Sequence, residues 1–173
     1  MDKKVLLGIA IAAGSLCSAV QASDGTINFT GSITDKTCTI DSGSKSLNVP
    51  LGNVSKASLH GASGMKSSPT SFQIGLSGCP ETAKAATVKF DGKATGSDQS
   101  LLALNGVDGV ATGVGIEISD VNNNPIALYT ASPEFTLVQG ANTLKFVARY
   151  VSTGPVVTTG PADGTSQFTI VYK

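Results

Sequence analysis

Apolar residues return at every second position in short runs along most of this chain, and that periodicity restricts the fold more than any other feature. Phe72, Ile74 and Leu76 form one such set, followed by Val88 and Phe90, then Val114, Ile116 and Ile118, then Leu144, Phe146, Ala148 and Tyr150. Successive side chains of an extended strand point to opposite faces, so each run predicts a strand with one apolar face. Turn chemistry bounds the runs: Asp91-Gly92, Asn105-Gly106, Asn122-Asn123-Asn124-Pro125, Gly140-Ala141-Asn142 and Gly154-Pro155. The Ser/Gly-rich stretch 60–70 reads as a loop. Several short strands at this spacing predict an all-β sandwich, because two packed sheets hide both apolar faces. Aromatics are only 5% of the residues and tryptophan is absent, so the core must use mainly small and β-branched side chains.

At 173 residues the chain suits one domain. Lys+Arg and Asp+Glu balance at 12 each, and only 14% of residues are charged. Nothing here makes the basic face of a nucleic-acid binder or a polybasic membrane anchor. Residues 1–22 read as a secretory leader: Lys3 and Lys4 precede an apolar stretch, and Val20-Gln21-Ala22 has the small-residue pattern of a cleavage site. The apolar stretch is too short for a span, which needs about 20 residues. Leu16 before Cys17 disfavours a lipoprotein signal. Cleavage after Ala22 removes Cys17 and leaves Cys38 and Cys79. In an oxidising compartment this pair is expected to be bridged, the alternative being two separate thiols. Closing so long a loop is worth about 4 kcal/mol in the chain-entropy account.

The two ends of the remaining chain alternate as clearly as its middle. Ile27, Phe29, Gly31 and Ile33 fall on one side of an N-terminal strand without a local partner. Phe168, Ile170 and Tyr172 fall on one side of a strand that runs to Lys173. An exposed edge with alternating apolar residues is a template for another chain. The alternative is that residues 27–33 fold back and complete their own sheet.

From about Ser23 to Lys173 the sequence resembles the subunits of chaperone–usher fimbriae, most closely the type 1-like major pilins. The matching residues are Ile27-x-Phe29-x-Gly31-x-Ile33, Thr37-Cys38-Thr39-Ile40-Asp41 and Val49-Pro50-Leu51-Gly52. They continue with Phe72-x-Ile74-x-Leu76-x-x-Cys79-Pro80, Phe146-Val147-Ala148-Arg149-Tyr150 and Phe168-x-Ile170-x-Tyr172-Lys173. The resemblance implies an incomplete immunoglobulin-like sandwich, a six-stranded core spanning residues 34–173 whose missing seventh strand is supplied in trans. Residues 23–33 would be the donor extension, with Ile27, Phe29 and Ile33 entering a neighbour's groove and Gly31 at its tight place. Such strand addition is a known mode of pilin assembly. Gly160, Phe168, Ile170, Tyr172 and Lys173 match the family's C-terminal motif of groove and chaperone contacts. Ser166 falls where a larger apolar residue could sit, which implies a shallower groove there. The implied partners are neighbouring pilin subunits, a periplasmic chaperone that holds the carboxylate of Lys173, and an outer-membrane usher. The implied destination is a surface fimbrium reached through the periplasm.

The other signals are weak. His60, the single histidine, has no G-x-S-x-G elbow to support a serine triad. Asp120-Val-Asn122-Asn-Asn124 imitates the start of a calcium loop, but Pro125 stands where glycine should be and Ala131 where glutamate should be. Asn28-Phe-Thr30 and Asn53-Val-Ser55 match a glycosylation pattern that is common by chance in a Ser/Thr-rich chain. Gly113-Val-Gly115 lacks the third glycine of a dinucleotide loop. No catalytic residue, metal site or cofactor is expected. The reading is a structural shaft subunit. Its alternatives are a minor tip, adaptor or single-domain adhesive subunit that binds a host glycan, and a monomeric secreted binding module.

Overall fold

The computed structural model describes residues 25–31, 33, 37–96 and 99–173. The expected leader, residues 1–22, lies outside the described residues, as does Ser23. The chain divides into two units, Met1–Ile33 and Thr34–Lys173. In the first, the described residues form no strand, and Ile27, Phe29 and Ile33 are exposed by 79%, 92% and 106%. The alternation predicts a strand, but a strand exists only where its N–H and C=O groups find a ladder. Residues 27–31 and 33 have the side-chain pattern of a strand without being in one.

The second unit is the all-β sandwich that the periodicity predicts. Its strands are β1 (Thr39–Ile40), β2 (Thr70–Cys79), β3 (Ala85–Asp91), β4 (Val114–Ser119), β5 (Phe135–Thr136), β6 (Gly140–Ser152) and β7 (Gln167–Tyr172), seven where the resemblance implies a six-stranded core, β1 and β5 being only two residues long. Helical structure among the described residues amounts to two 3₁₀ turns, Ser42–Ser44 and Lys56–Ser58. One sheet has the order β1-β2-β6-β4 and the other β5-β3-β7, with every neighbouring pair antiparallel.

Each inward face is the face that the alternation picks out. Ile74 and Leu76 of β2, Val88 and Phe90 of β3, Val114, Ile116 and Ile118 of β4, and Leu144, Phe146 and Tyr150 of β6 are all buried. Four phenylalanines tie the sheets together. Phe146 stacks on Phe72 at 5.5 Å and meets Phe90 and Phe135 edge-on at 5.1 and 5.3 Å. These centroid distances suit offset and T-shaped aromatic pairs. The two phenylalanines outside this network are Phe29, in the extension, and Phe168, on β7.

Cys38 and Cys79 are bridged, with Cα atoms 4.2 Å apart. Cys38 precedes β1 and Cys79 ends β2, so the bond closes the mouth of the β1–β2 pair, whose register aligns Thr39 with Ser77.

Two expectations need correction. Part of the 60–70 loop belongs to the ladder: Gly64 N–H donates to Ser152 O at 2.8 Å, Ser67 N–H to Tyr150 O at 3.0 Å, and Ser152 N–H to Met65 O at 2.9 Å. Ser and Gly signal a loop there, but Ser67 and Ser152 use their hydroxyls to bond neighbouring backbone. Lys66 is held by Glu117 at 2.6 Å, and Arg149 lies 3.4 Å from the same carboxylate. The second correction concerns Gly140-Ala141-Asn142, which opens β6 and is not simply the turn before it. Asn142 explains the turn signal, since its side-chain amide bonds both N–H and C=O of Val138 across the 138–142 turn that leads from one sheet to the other. The turn expected around 122–125 is present, with Asn123 N–H donating to Asp120 O at 3.0 Å. Asp120 accepts hydrogen bonds from Asn122 N–H, Asn124 N–H and the Asn124 amide, the Asx-turn arrangement. His60 Nδ1 lies 3.4 Å from Val157 N–H and accepts from it.

Two predictions follow from this frame. Replacing Cys38 and Cys79 together by serine should cost about 4 kcal/mol of folding stability, read as a lower melting temperature and a lower yield of soluble subunit. The second concerns alkali. Burial raises the Tyr150 phenol above its ordinary value, helped by the charge of Asp163, and burial raises Tyr172 against a lowering contact with Cys38 O. A phenol raised on folding contributes stability that is fully present below the ordinary tyrosine pKa of about 10 and is lost as pH rises through the raised value. Unfolding midpoints measured from pH 8 to 12 should therefore fall at the alkaline end, and Tyr172→Phe should flatten that fall.

Candidate functional site

β7 has β3 on one side and no strand on the other among the described residues. Its inward side chains Phe168, Ile170 and Tyr172 pack against the core but are only half-buried, in contrast to Val88 and Phe90 opposite them on β3. An edge strand presents a row of backbone groups that can pair with another chain. Here that row lies beside an incompletely covered apolar face.

A cleft of about 1090 Å³ runs along the first half of β7. Its inner surface carries Phe72 and Ile74 of β2, Phe90 of β3, Ile116 and Ile118 of β4, and Ala148 and Tyr150 of β6. Residues 162–169 and 45–53 border it. Within the second border, Leu47, Val49 and Leu51 alternate, yet residues 47–55 form no strand. Pro50 lacks an N–H and sits in the middle of this segment, which suits an unpaired edge. The cleft is thus flanked by two stretches of extended or irregular backbone, with an apolar floor between them. Two hydroxyls of its lining are engaged by backbone: Ser166 donates to Asp91 O at 2.9 Å, and Tyr150 to Ala162 O at 2.9 Å.

The residues expected in the C-terminal motif are distributed along and beyond this cleft. Phe168 lines it. Ile170 and Tyr172 continue the same face of β7 toward β1, where the Tyr172 hydroxyl lies 3.5 Å from Cys38 O. Lys173 follows the strand; its N–H donates to Ala85 O at 2.9 Å, its carbonyl accepts from Lys84 N–H, and its ammonium pairs with Glu134. Gly160 is outside the cleft lining, and a Cβ there would strike the backbone of Gly109 and Ala111. Its lack of a side chain lets residues 158–161 run close to that loop, where Ala111 N–H donates to Pro161 O at 2.9 Å.

The Leu47–Leu51 border and Leu102 were not singled out as site residues from the sequence. The alternation of Leu47, Val49 and Leu51 was visible, but two turns of a period-two pattern around a proline do not distinguish a wall from a loop. No group of three or more potential metal ligands occurs among the described residues. The site is an apolar slot beside an unpaired strand edge, and its chemistry is burial and backbone hydrogen bonding.

Comparison with known proteins places this architecture. The family model described as Fimbrial protein matches residues 27–173. The chain is 38% identical to the Fimbria A protein of Serratia marcescens, covering 98% of both chains. It is 36% identical to "Probable major fimbrial subunit LpfA" of Escherichia coli O157:H7, covering 97% of this chain and 94% of that one. The fold superposes on the P pilus rod subunit PapA with a TM-score of 0.67 at 23% identity, over 79% of this chain and 99% of PapA. At that identity the superposition speaks for the immunoglobulin-like pilin fold alone. The chain belongs to the fimbrial protein family and is a structural subunit of a bacterial surface fimbria.

Proposed function

We propose that this subunit polymerises by donor-strand exchange, with residues 23–33 of one copy entering the cleft of the next and pairing along β7. The observation that carries the proposal is the match between two unsatisfied surfaces. The extension exposes Ile27, Phe29 and Ile33, and its described residues form no strand. Among the described residues, the body has a strand edge with no strand paired to it above a half-covered apolar face. A strand laid along β7 satisfies both sets of backbone groups. It also buries three apolar side chains, each worth about 1.5 to 3 kcal/mol.

The geometry of such exchange generates a filament. Extension and cleft are different surfaces, so the contact is heterologous, and a head-to-tail contact that does not close propagates. The resemblance to the probable major fimbrial subunit LpfA supports a place in the shaft. A cleft open along β7 is also a hazard before assembly, because apolar strand edges pair indiscriminately. A periplasmic chaperone that covers β7 during transit, and an outer-membrane usher that replaces it with the extension, would remove that hazard. The strand end at Lys173, tied to β3, is the part of the motif we assign to the chaperone contact. Gly31 is assigned to the narrow part of the neighbour's groove. In its own chain a Cβ at Gly31 would meet nothing within 4 Å, so a side chain there is harmless to the free subunit.

Deleting residues 23–33 should abolish surface filaments while the oxidised subunit still accumulates in the periplasm. Filaments of normal length from that deletion would refute donor-strand exchange. Gly31→Val should block filament growth by overfilling the groove and leave subunit yield unchanged; normal piliation would show that the assigned register is wrong.

A further inference from the structure

We infer that Leu102 is the end stop of the cleft, a side chain from the subunit's own body that sets the size of the donor residue accepted where β7 begins. The inference rests on the donor-strand reading above. Leu102 lines the cleft yet is only 3% exposed, whereas Phe168 beside it is half-buried. Two glycines make room for it. A Cβ at Gly92, just after β3, would overlap Leu102 Cδ1, and a Cβ at Gly164, ahead of β7, would lie 3.3 Å from Leu102 Cδ2. Leu102 therefore occupies the space beside Gly164 and Ser166, where the sequence suggests a shallow groove. The small side chain of Ser166 does not leave that end open, because a leucine from another segment fills it.

The backbone that carries the plug is anchored on both sides. Leu102 N–H donates to Ile116 O at 2.8 Å, and Ile116 N–H donates to Leu102 O at 2.9 Å. Ala103 N–H donates to Lys93 O at 2.6 Å on the other side. Leu102 is thus fastened to β4 while its methyls reach toward β7. The main chain under Leu102 is therefore fixed, and its methyls, seated against Gly92 and Gly164, yield to a larger guest only by disturbing that packing.

Orientation identifies the donor residue it meets. Antiparallel pairing is the more stable arrangement, and it brings the C-terminal end of the donor segment to the N-terminal end of β7. Ile33 of the incoming copy then abuts Leu102, while Ile27 lies roughly 20 Å away along the strand. Leu102 should discriminate at position 33 and be indifferent to position 27.

The test uses the full-length chain in a piliated host, with filament yield measured by immunoblot of sheared surface material and subunit supply by the oxidised periplasmic pool. Ile33→Phe should lower filament yield about tenfold or more without changing the periplasmic pool. Adding Leu102→Ala should restore most of that loss, and should not restore the loss caused by Ile27→Phe. If Leu102→Ala itself depletes the periplasmic pool, Leu102→Val provides the same comparison with a smaller cavity. An Ile33→Phe chain that assembles normally, a double variant with intact subunit supply that stays unassembled, or equal rescue of Ile27→Phe would each overturn the inference. Failure here is distinct from failure of donor-strand exchange. If deletion of residues 23–33 abolishes filaments but Leu102 variants show no rescue, only the end stop is wrong.

Discussion

The structure depends on one unbalanced strand. β7 is bonded to β3 along one side, and its other row of N–H and C=O groups has no strand to meet among the described residues. Water can satisfy such groups, but it cannot cover Phe168, Ile170 and Tyr172, which face inward and remain half-exposed. A partner that supplies backbone and apolar side chains together satisfies both demands at once. The extension has that composition, which is why we propose it as the strand donated to a neighbouring subunit.

The rest of the sandwich keeps this flank usable without letting the fold collapse over it. Phe146 and its three aromatic neighbours join the sheets through β2, β3, β5 and β6. The Cys38–Cys79 bond ties the short β1 to β2, which two residues of ladder alone would hold weakly. On the outer face, Glu117 gathers Lys66 and Arg149 and secures the 64–67 segment against the end of β6. With the frame held elsewhere, the cleft can stay open between irregular borders. The phenylalanines divide in the same way: four make the frame, and Phe29 and Phe168 stand on the two surfaces proposed to meet.

Strand positions and inward faces were legible because a period of two is a local property, and β2, β3, β4, β6 and β7 all lie on runs that show it. Residues 64–67 were not legible as ladder, since Ser and Gly announce loops and their partners at 150–152 are far away in sequence. Asn142 misled for a related reason: the same amide that marks a turn bonds backbone from the first residues of a strand. Gly160 carried a family signal for the groove, while its close approach to residues 109–111 is a packing fact that no local pattern contains.

The sequence by itself determined the class of fold, the apolar face of each long strand, and the presence of two alternating ends that one sandwich does not obviously consume. These follow from side-chain order, and side-chain order is written residue by residue. Only the tertiary structure decided which edge stays unpaired, that residues 45–53 border the cleft, and that Leu102 closes its end. Those features arise where segments distant in sequence meet, and backbone bonds such as those between Leu102 and Ile116 leave no periodic trace in either segment.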